Sequence, residues 1–157
     1  MPAVEPSNNA DAPVVVSGPG LPILDDARWT GNSCWAELRL VELITGWMAV
    51  EPRHERSLHL WTVRADAAKR GEMWFERLPM LREFPRSEFI KPTSDQEQAQ
   101  FEAWAHLDDP DNTGLRNAAL SEALIALRER YEAHCELAVG PADGPTRWAL
   151  AEALRSL

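Results

Sequence analysis

Between Pro52 and Pro79 the chain carries no other proline and a single glycine, Gly71. This stretch, from Arg53 to Leu81, constrains the fold more than any other. Proline is tolerated in a first helical turn, where its missing N–H would lack a partner anyway. Pro79 supplies the stop, because the residue before a proline is pushed out of helical dihedrals. Inside these bounds Leu58, Trp61, Ala65, Ala68 and Phe75 recur at helical spacing, and Leu78 closes the seam. The pattern predicts one long helix with that stripe facing a core. His54 and Glu72 fall on the same stripe.

A helix of that length needs neighbours of similar length, and the rest of the chain offers them. Asn32-Ser33, both good N-caps, predict a helix running to Val50. Its inner stripe is Cys34, Val41, Ile44 and Met48, with Leu38 and Leu40 beside it and Glu37 in its midst. Pro79, Pro85 and Pro92 forbid a helix after the long one and predict a crossover. Ser94 with Glu97 three residues on forms a capping box that opens a shorter helix to Leu107, with Phe101, Trp104 and Ala105 inward. Asp108 to Asn112 is a turn. Thr113-Gly114 begins a further helix to Val139, which Gly140-Pro141 ends. Leu120, Leu124, Leu127, Tyr131 and Ala138 form its stripe, and His134 takes the remaining inward slot. A last helix, Arg147 to Leu157, places Trp148, Ala151 and Leu154 inside. The expected architecture is an all-α antiparallel bundle of four to five helices over residues 28–157. Residues 1–27 read as a flexible or extended arm, in which Val14-Val15-Val16 either pairs as a short strand or lies on the bundle.

Composition narrows the function classes. At 157 residues, with 45% apolar side chains and seven tryptophans, the chain can bury a full core as one domain. A net charge of −9 argues against nucleic acid, which requires a clustered basic face. No run of about eighteen apolar residues is present to span a bilayer. The first twenty residues lack the basic and apolar regions of a secretion signal, so the expected location is the cytoplasm. Cys34 and Cys135 are far apart and expected to be reduced thiols.

A carboxylate on an apolar seam is costly unless it is paired, protonated or bound to a metal. Glu37, His54, Glu72 and His134 are the titratable residues on the expected inward stripes, and they admit two readings. In one, carboxylates and imidazoles hold a pair of iron or manganese ions. In the other no cofactor is bound, and Arg70 or Arg64 neutralises Glu37 or Glu72 through a buried ion pair, with Asp66 beside Arg70 as a structural partner. Glu55 with His59 and Glu102 with His106 are secondary pairs at four-residue spacing. The one Glu-x-x-His, Glu51 to His54, overlaps a proline. Trp35, Trp47, Trp61, Trp104 and Tyr131 are candidates to line a site for an apolar or aromatic small molecule. Nucleophile constellations, glycine-rich phosphate loops and zinc-type cysteine spacings do not occur.

Two stretches carry a resemblance. ADAAKRGEMWFERLPMLRE, Ala65 to Glu83, resembles the second bundle helix of a group of bacterial ferritin-like proteins of unassigned function. There an acidic residue and a histidine precede an arginine-rich run and a Leu-Pro-x-Leu-Arg ending. The segment from Ala119 to Leu154 resembles a later part of the same proteins, with Tyr131-x-x-His134 before a loop ending in Pro145-Thr146. The resemblance implies a ferritin-like bundle, whose dimetal site takes about four carboxylates and two histidines from four helices. This chain departs at the key spacing. Where those proteins present acid-x-x-x-His it reads Asp66-Ala67-Ala68-Lys69-Arg70, and a guanidinium does not coordinate a metal. It also stops at Leu157, where longer relatives continue into another ligand-bearing helix, so an apolar face needing cover is expected. Two functions follow as expectations. One is an accessory protein with a degenerate dimetal site that forms a homodimer or binds a heteromeric partner. The other is a small dimetal-carboxylate, oxygen-dependent oxidoreductase acting on a small organic molecule.

Overall fold

The computed structural model describes residues 17–157. Five α-helices succeed one another: α1 Ile23–Val50, α2 His54–Arg77, α3 Asp95–Ala105, α4 Thr113–Leu137 and α5 Gly144–Arg155. Among the described residues there is no strand, and the expected all-α bundle is found. Val14 to Val16 lie outside the described residues.

The organising helix is α1 rather than α2. It packs against α2, α3 and α4, while α5 bridges α2 and α4. Covered on three sides, α1 buries far more than a single stripe, including Trp35, Leu40, Leu43, Ile44 and Trp47. It also begins at Ile23, well before Asn32-Ser33. Pro22 sits at the cap, and Asp25 and Asp26 in the first turn favour the positive end of the helix. Residues 23–27, expected as part of the arm, are thus helical. Asn32-Ser33, expected as the N-cap, lie inside the helix, where Thr30, Gly31 and Ser33 are buried. At Gly31 the crossover leaves no room for a side chain: a Cβ there would come within 2.0 Å of the Phe89 carbonyl oxygen.

The bounds of α2 agree with the sequence, but its rotation does not. The buried face is Leu60, Ala67, Arg70, Gly71 and Trp74. Leu58, Trp61 and Phe75 of the expected stripe are 53%, 55% and 42% exposed, and Ala68 is exposed with them. Two apolar stripes coexist on this helix, and the one that packs contains an arginine and a glycine. A hydrophobic count therefore favours the other. In α5 the buried set is Thr146, Ala149, Leu150 and Ala153, whereas Trp148 is 62% exposed. The α4 stripe is found nearly as expected, with Leu120, Leu127, Tyr131 and His134 buried, though Leu124 is only partly so.

Before α3 the crossover ends at Ser94, whose Oγ accepts from Glu97 N at 3.2 Å. The Glu97 carboxylate reaches back to Thr93 N at 2.7 Å. Behind this cap Trp35, Phe101 and Trp104 meet edge to face, with centroids 5.3 and 5.1 Å apart.

Candidate functional site

The polar centre of the bundle is the side chain of Glu37, fully buried on α1. Arg70 of α2 donates to it twice, Nε to Oε1 at 2.6 Å and Nη2 to Oε2 at 3.1 Å. The third guanidinium nitrogen, Nη1, donates to the Ser156 carbonyl at 2.9 Å and its hydroxyl at 3.3 Å. Tyr131 of α4 donates its hydroxyl proton to Glu37 Oε1, and Trp74 Nε1 donates to the Tyr131 oxygen at 3.1 Å. Helices α1, α2 and α4 and the end of α5 are thus tied through one ion pair. The arginine fork matches a carboxylate's two oxygens, which gives the pair a fixed geometry as well as charge compensation.

Burial sets the electrostatics here. It pushes the Glu37 carboxyl up from its ordinary value, against the downward pull of the Arg70 and Tyr131 hydrogen bonds. Burial would also lower Arg70, but its bonds and charge contact with Glu37 outweigh that and hold it charged. The Tyr131 phenol is raised well above its ordinary value by burial and by the adjacent carboxylate. Cys34, whose Sγ lies 3.5 Å from the Gly71 carbonyl oxygen, is pushed up to about 11 by burial and then by Glu37.

Beside this cluster lies a second. His134 is fully buried, its ring stacked on Trp29 at 5.3 Å and its Nε2 3.0 Å from Asp26 Oδ1. Thr146 Oγ1 donates to the other Asp26 oxygen at 3.3 Å, and Arg77 Nη2 donates to Thr146 Oγ1 at 3.2 Å. Nδ1 of His134 has no hydrogen-bond partner among the described residues. A third buried charge sits at the far end of the bundle. Arg116, in the first turn of α4, donates to the carbonyls of Leu107 at 3.2 Å and Asp109 at 2.5 Å. It also donates to Glu51 Oε2 at 3.2 Å.

The expected metal set is therefore divided. Glu37 and His134 are buried, but in separate networks, each with its own acid–base partner. His54 and Glu72 are exposed, because the packed face of α2 lies on its other side. Glu51 turns to Arg116 and not toward His54. Asp66 meets Lys69 at 3.6 Å and influences Arg70 only through space; the hydrogen-bonded partner of Arg70 is Glu37. Glu55, His59, Glu102 and His106 are all exposed.

The aromatic set is divided as well. Trp35 lines a cleft of ≈ 200 Å³ between α1 and α3, Trp104 a second of ≈ 260 Å³ toward α4. Trp47 is buried, with Nε1 donating to the Trp104 carbonyl at 3.2 Å. Tyr131 is sealed in the core, and Trp61 faces outward. Both clefts fall below the usual range of about 300–1,000 Å³ for small-molecule sites.

Arg116, Arg130 and Asp26 were not foreseen. Arg130 donates to the Asn32 carbonyl at 3.0 Å and to Glu97. Arg116 carries a legible signal, since it lies four residues before Leu120 on the apolar stripe of α4. Asp26 carries none, because its segment does not read as helical.

No family model, curated protein or solved structure matches the chain. The donor set itself is informative about a dimetal centre. Both oxygens of Glu37 are engaged by Arg70 and Tyr131, and both oxygens of Asp26 by His134 and Thr146. Among the described residues no three of His, Cys, Asp and Glu gather where they could hold a metal ion. The residues present do not fit a carboxylate-bridged metal pair. No described helix is long and apolar enough to cross a membrane.

Proposed function

We propose that this chain is a ferritin-like helical bundle in which an internal ion pair stands where related proteins hold two metal ions, and that it acts as an accessory protein by binding a partner. The observation that carries the reading is the doubly hydrogen-bonded Arg70–Glu37 pair at the meeting point of the helices. A dimetal site leaves carboxylate oxygens free for coordination and keeps open positions for oxygen. Here a permanent cation takes those oxygens, and Ser156 and Tyr131 complete the shell. Such a pair holds helices in register, a structural role with no turnover. A core of this kind leaves function to the surface, where α2 exposes several large apolar side chains.

Metal analysis of the full chain, purified without chelator and then incubated aerobically with ferrous or manganous ion, tests this. The expected result is well below one bound ion per chain and no oxygen uptake. About two ions per chain, lost when Glu37 is replaced by Ala, would overturn it in favour of the oxygen-dependent oxidoreductase.

A further inference from the structure

We infer that the cleft where α1 begins, α2 ends and the turn before α5 closes over them is a binding site for a free amino acid with an apolar side chain. Arg77 receives its carboxylate, and Asp143 and Glu76 receive its ammonium. At ≈ 420 Å³ the cleft is larger than the two beside Trp35 and Trp104. It falls in the usual range of about 300–1,000 Å³ for small-molecule sites. Its wall is mixed: Leu21, Ile23 and Pro79 are apolar, while Asp26, Glu76, Arg77 and Asp143 bring charge.

The charges point to the occupant, because they do not neutralise one another. Arg77 shares this wall with three carboxylates and, among the described residues, forms an ion pair with none of them. Its Nη2 donates to Thr146 Oγ1 at 3.2 Å, its Nε is buried without an acceptor, and Nη1 has no partner among the described residues. The other guanidiniums buried in this bundle, Arg70 and Arg116, each hold a carboxylate. The acids of the cleft are similarly open. Asp143 is only 6% exposed, and its Oδ2 accepts from Gly140 N at 2.7 Å. Its Oδ1 accepts from no group among the described residues. Glu76 is exposed and has no partner among them either. Asp26 differs, since His134 and Thr146 engage both its oxygens. One open cation and two open carboxylates in a single cleft match a molecule that carries both charges. A simple anion would leave the carboxylates unanswered and meet like charge, and a simple amine would do the same at Arg77. The helix ends have the same polarity. The positive end of α1, whose cap Pro22 makes no side-chain hydrogen bond, meets the negative end of α2 here. Leu21, Ile23 and Pro79 leave hydrocarbon as the remaining part of the ligand. Leucine and phenylalanine have all three parts.

Calorimetric titration of the full chain with L-leucine and with L-phenylalanine near neutral pH tests the site. The expected Kd is about 10 µM to 1 mM. N-acetyl-L-leucine, which lacks the ammonium, and L-leucinamide, which lacks the carboxylate, are each expected to bind at least about tenfold more weakly. Arg77→Gln is expected to weaken L-leucine at least about tenfold and Glu76→Gln about threefold, while Glu72→Gln on the same helix leaves it unchanged. Circular dichroism verifies that each variant is folded, and the ligand series on the parent chain is decisive without them. In amide shift maps the largest changes on adding L-leucine are expected at Leu21, Ile23 and Ala142. No binding of either amino acid up to about 10 mM, a blocked leucine bound as tightly as leucine itself, or largest shifts beside Trp35 or Trp104 would overturn the inference. None of these outcomes bears on metal content or on a protein partner, so the ion-pair reading stands or falls separately.

Discussion

A guanidinium sealed against a carboxylate is strong only while both are present. Truncating Arg70 to Met leaves Glu37 in the core with one remaining donor, Tyr131, and is expected to cost about 3–5 kcal/mol near neutral pH. The orphaned carboxyl has a raised folded-state pKa, so it prefers its proton in the core. Its unfavourable contribution therefore grows as pH rises past the unfolded value, and the variant's loss is expected to be smaller at pH 5 than at pH 8. Replacing both partners, Arg70→Met with Glu37→Met, is expected to recover most of the loss. It leaves the Tyr131 hydroxyl without its acceptor, which retains a deficit of about 1–3 kcal/mol. Urea titrations of the two singles and the double supply the cycle. An Arg70→Met protein as stable as the parent would show that the pair is not held in water-free surroundings. A second prediction at this scale concerns alkaline pH. Cys34 goes from an ordinary 9.0 to about 11 on folding, so its contribution is fully present below pH 9 and is lost as pH rises through 11. Tyr131, also raised, acts in the same direction at higher pH. Urea titrations at pH 8 and 11 are expected to show stability falling by about 2–3 kcal/mol, and Cys34→Ala to remove much of that slope.

Elements here are fastened at their ends by buried arginines, and this is where α4 is vulnerable. Arg116 satisfies carbonyls of the α3–α4 turn and the Glu51 carboxylate at the close of α1. Arg116→Met is expected to free residues 107–113, raising their amide exchange by at least about tenfold while the centre of α1 stays protected. Uniform loss of protection would mean instead that the turn is part of the global unfolding unit. Burial holds Arg116 and Glu51 together in a way that periodicity foreshadows, since an arginine on an apolar stripe asks for a buried partner. The existence and most limits of α2, α3 and α4 were legible because capping and proline signals are local. Rotation about the helix axis was not. On α2 the packed stripe includes Arg70 and Gly71, which score as polar and as a breaker, while the exposed stripe holds Trp61 and Phe75. The same failing placed His54 and Glu72 inside. Glu37 on an apolar seam did signal a buried charge needing compensation, and an arginine on the neighbouring helix supplies it. Choosing Glu37 over Asp66 as the partner of Arg70 required knowing which face of α2 meets α1.

For the whole molecule, net charge decides how it meets another. Each chain carries −9, so two copies repel as they approach. Exposed charges are screened over a Debye length of about 30 Å at 0.01 M ionic strength and about 8 Å at 0.15 M. Any self-association is therefore expected to tighten with salt, by about threefold to tenfold in Kd between 0.01 and 0.3 M sodium chloride. Apolar burial depends little on salt over this range, so the change reports the electrostatic part. A basic protein docking on this acidic chain would behave in the opposite way, its affinity falling as salt rises. Sedimentation across a salt series thus gives two copies and a basic partner opposite signs. Dimers that dissociate on adding salt would place the contact on complementary charged patches and not on an apolar face.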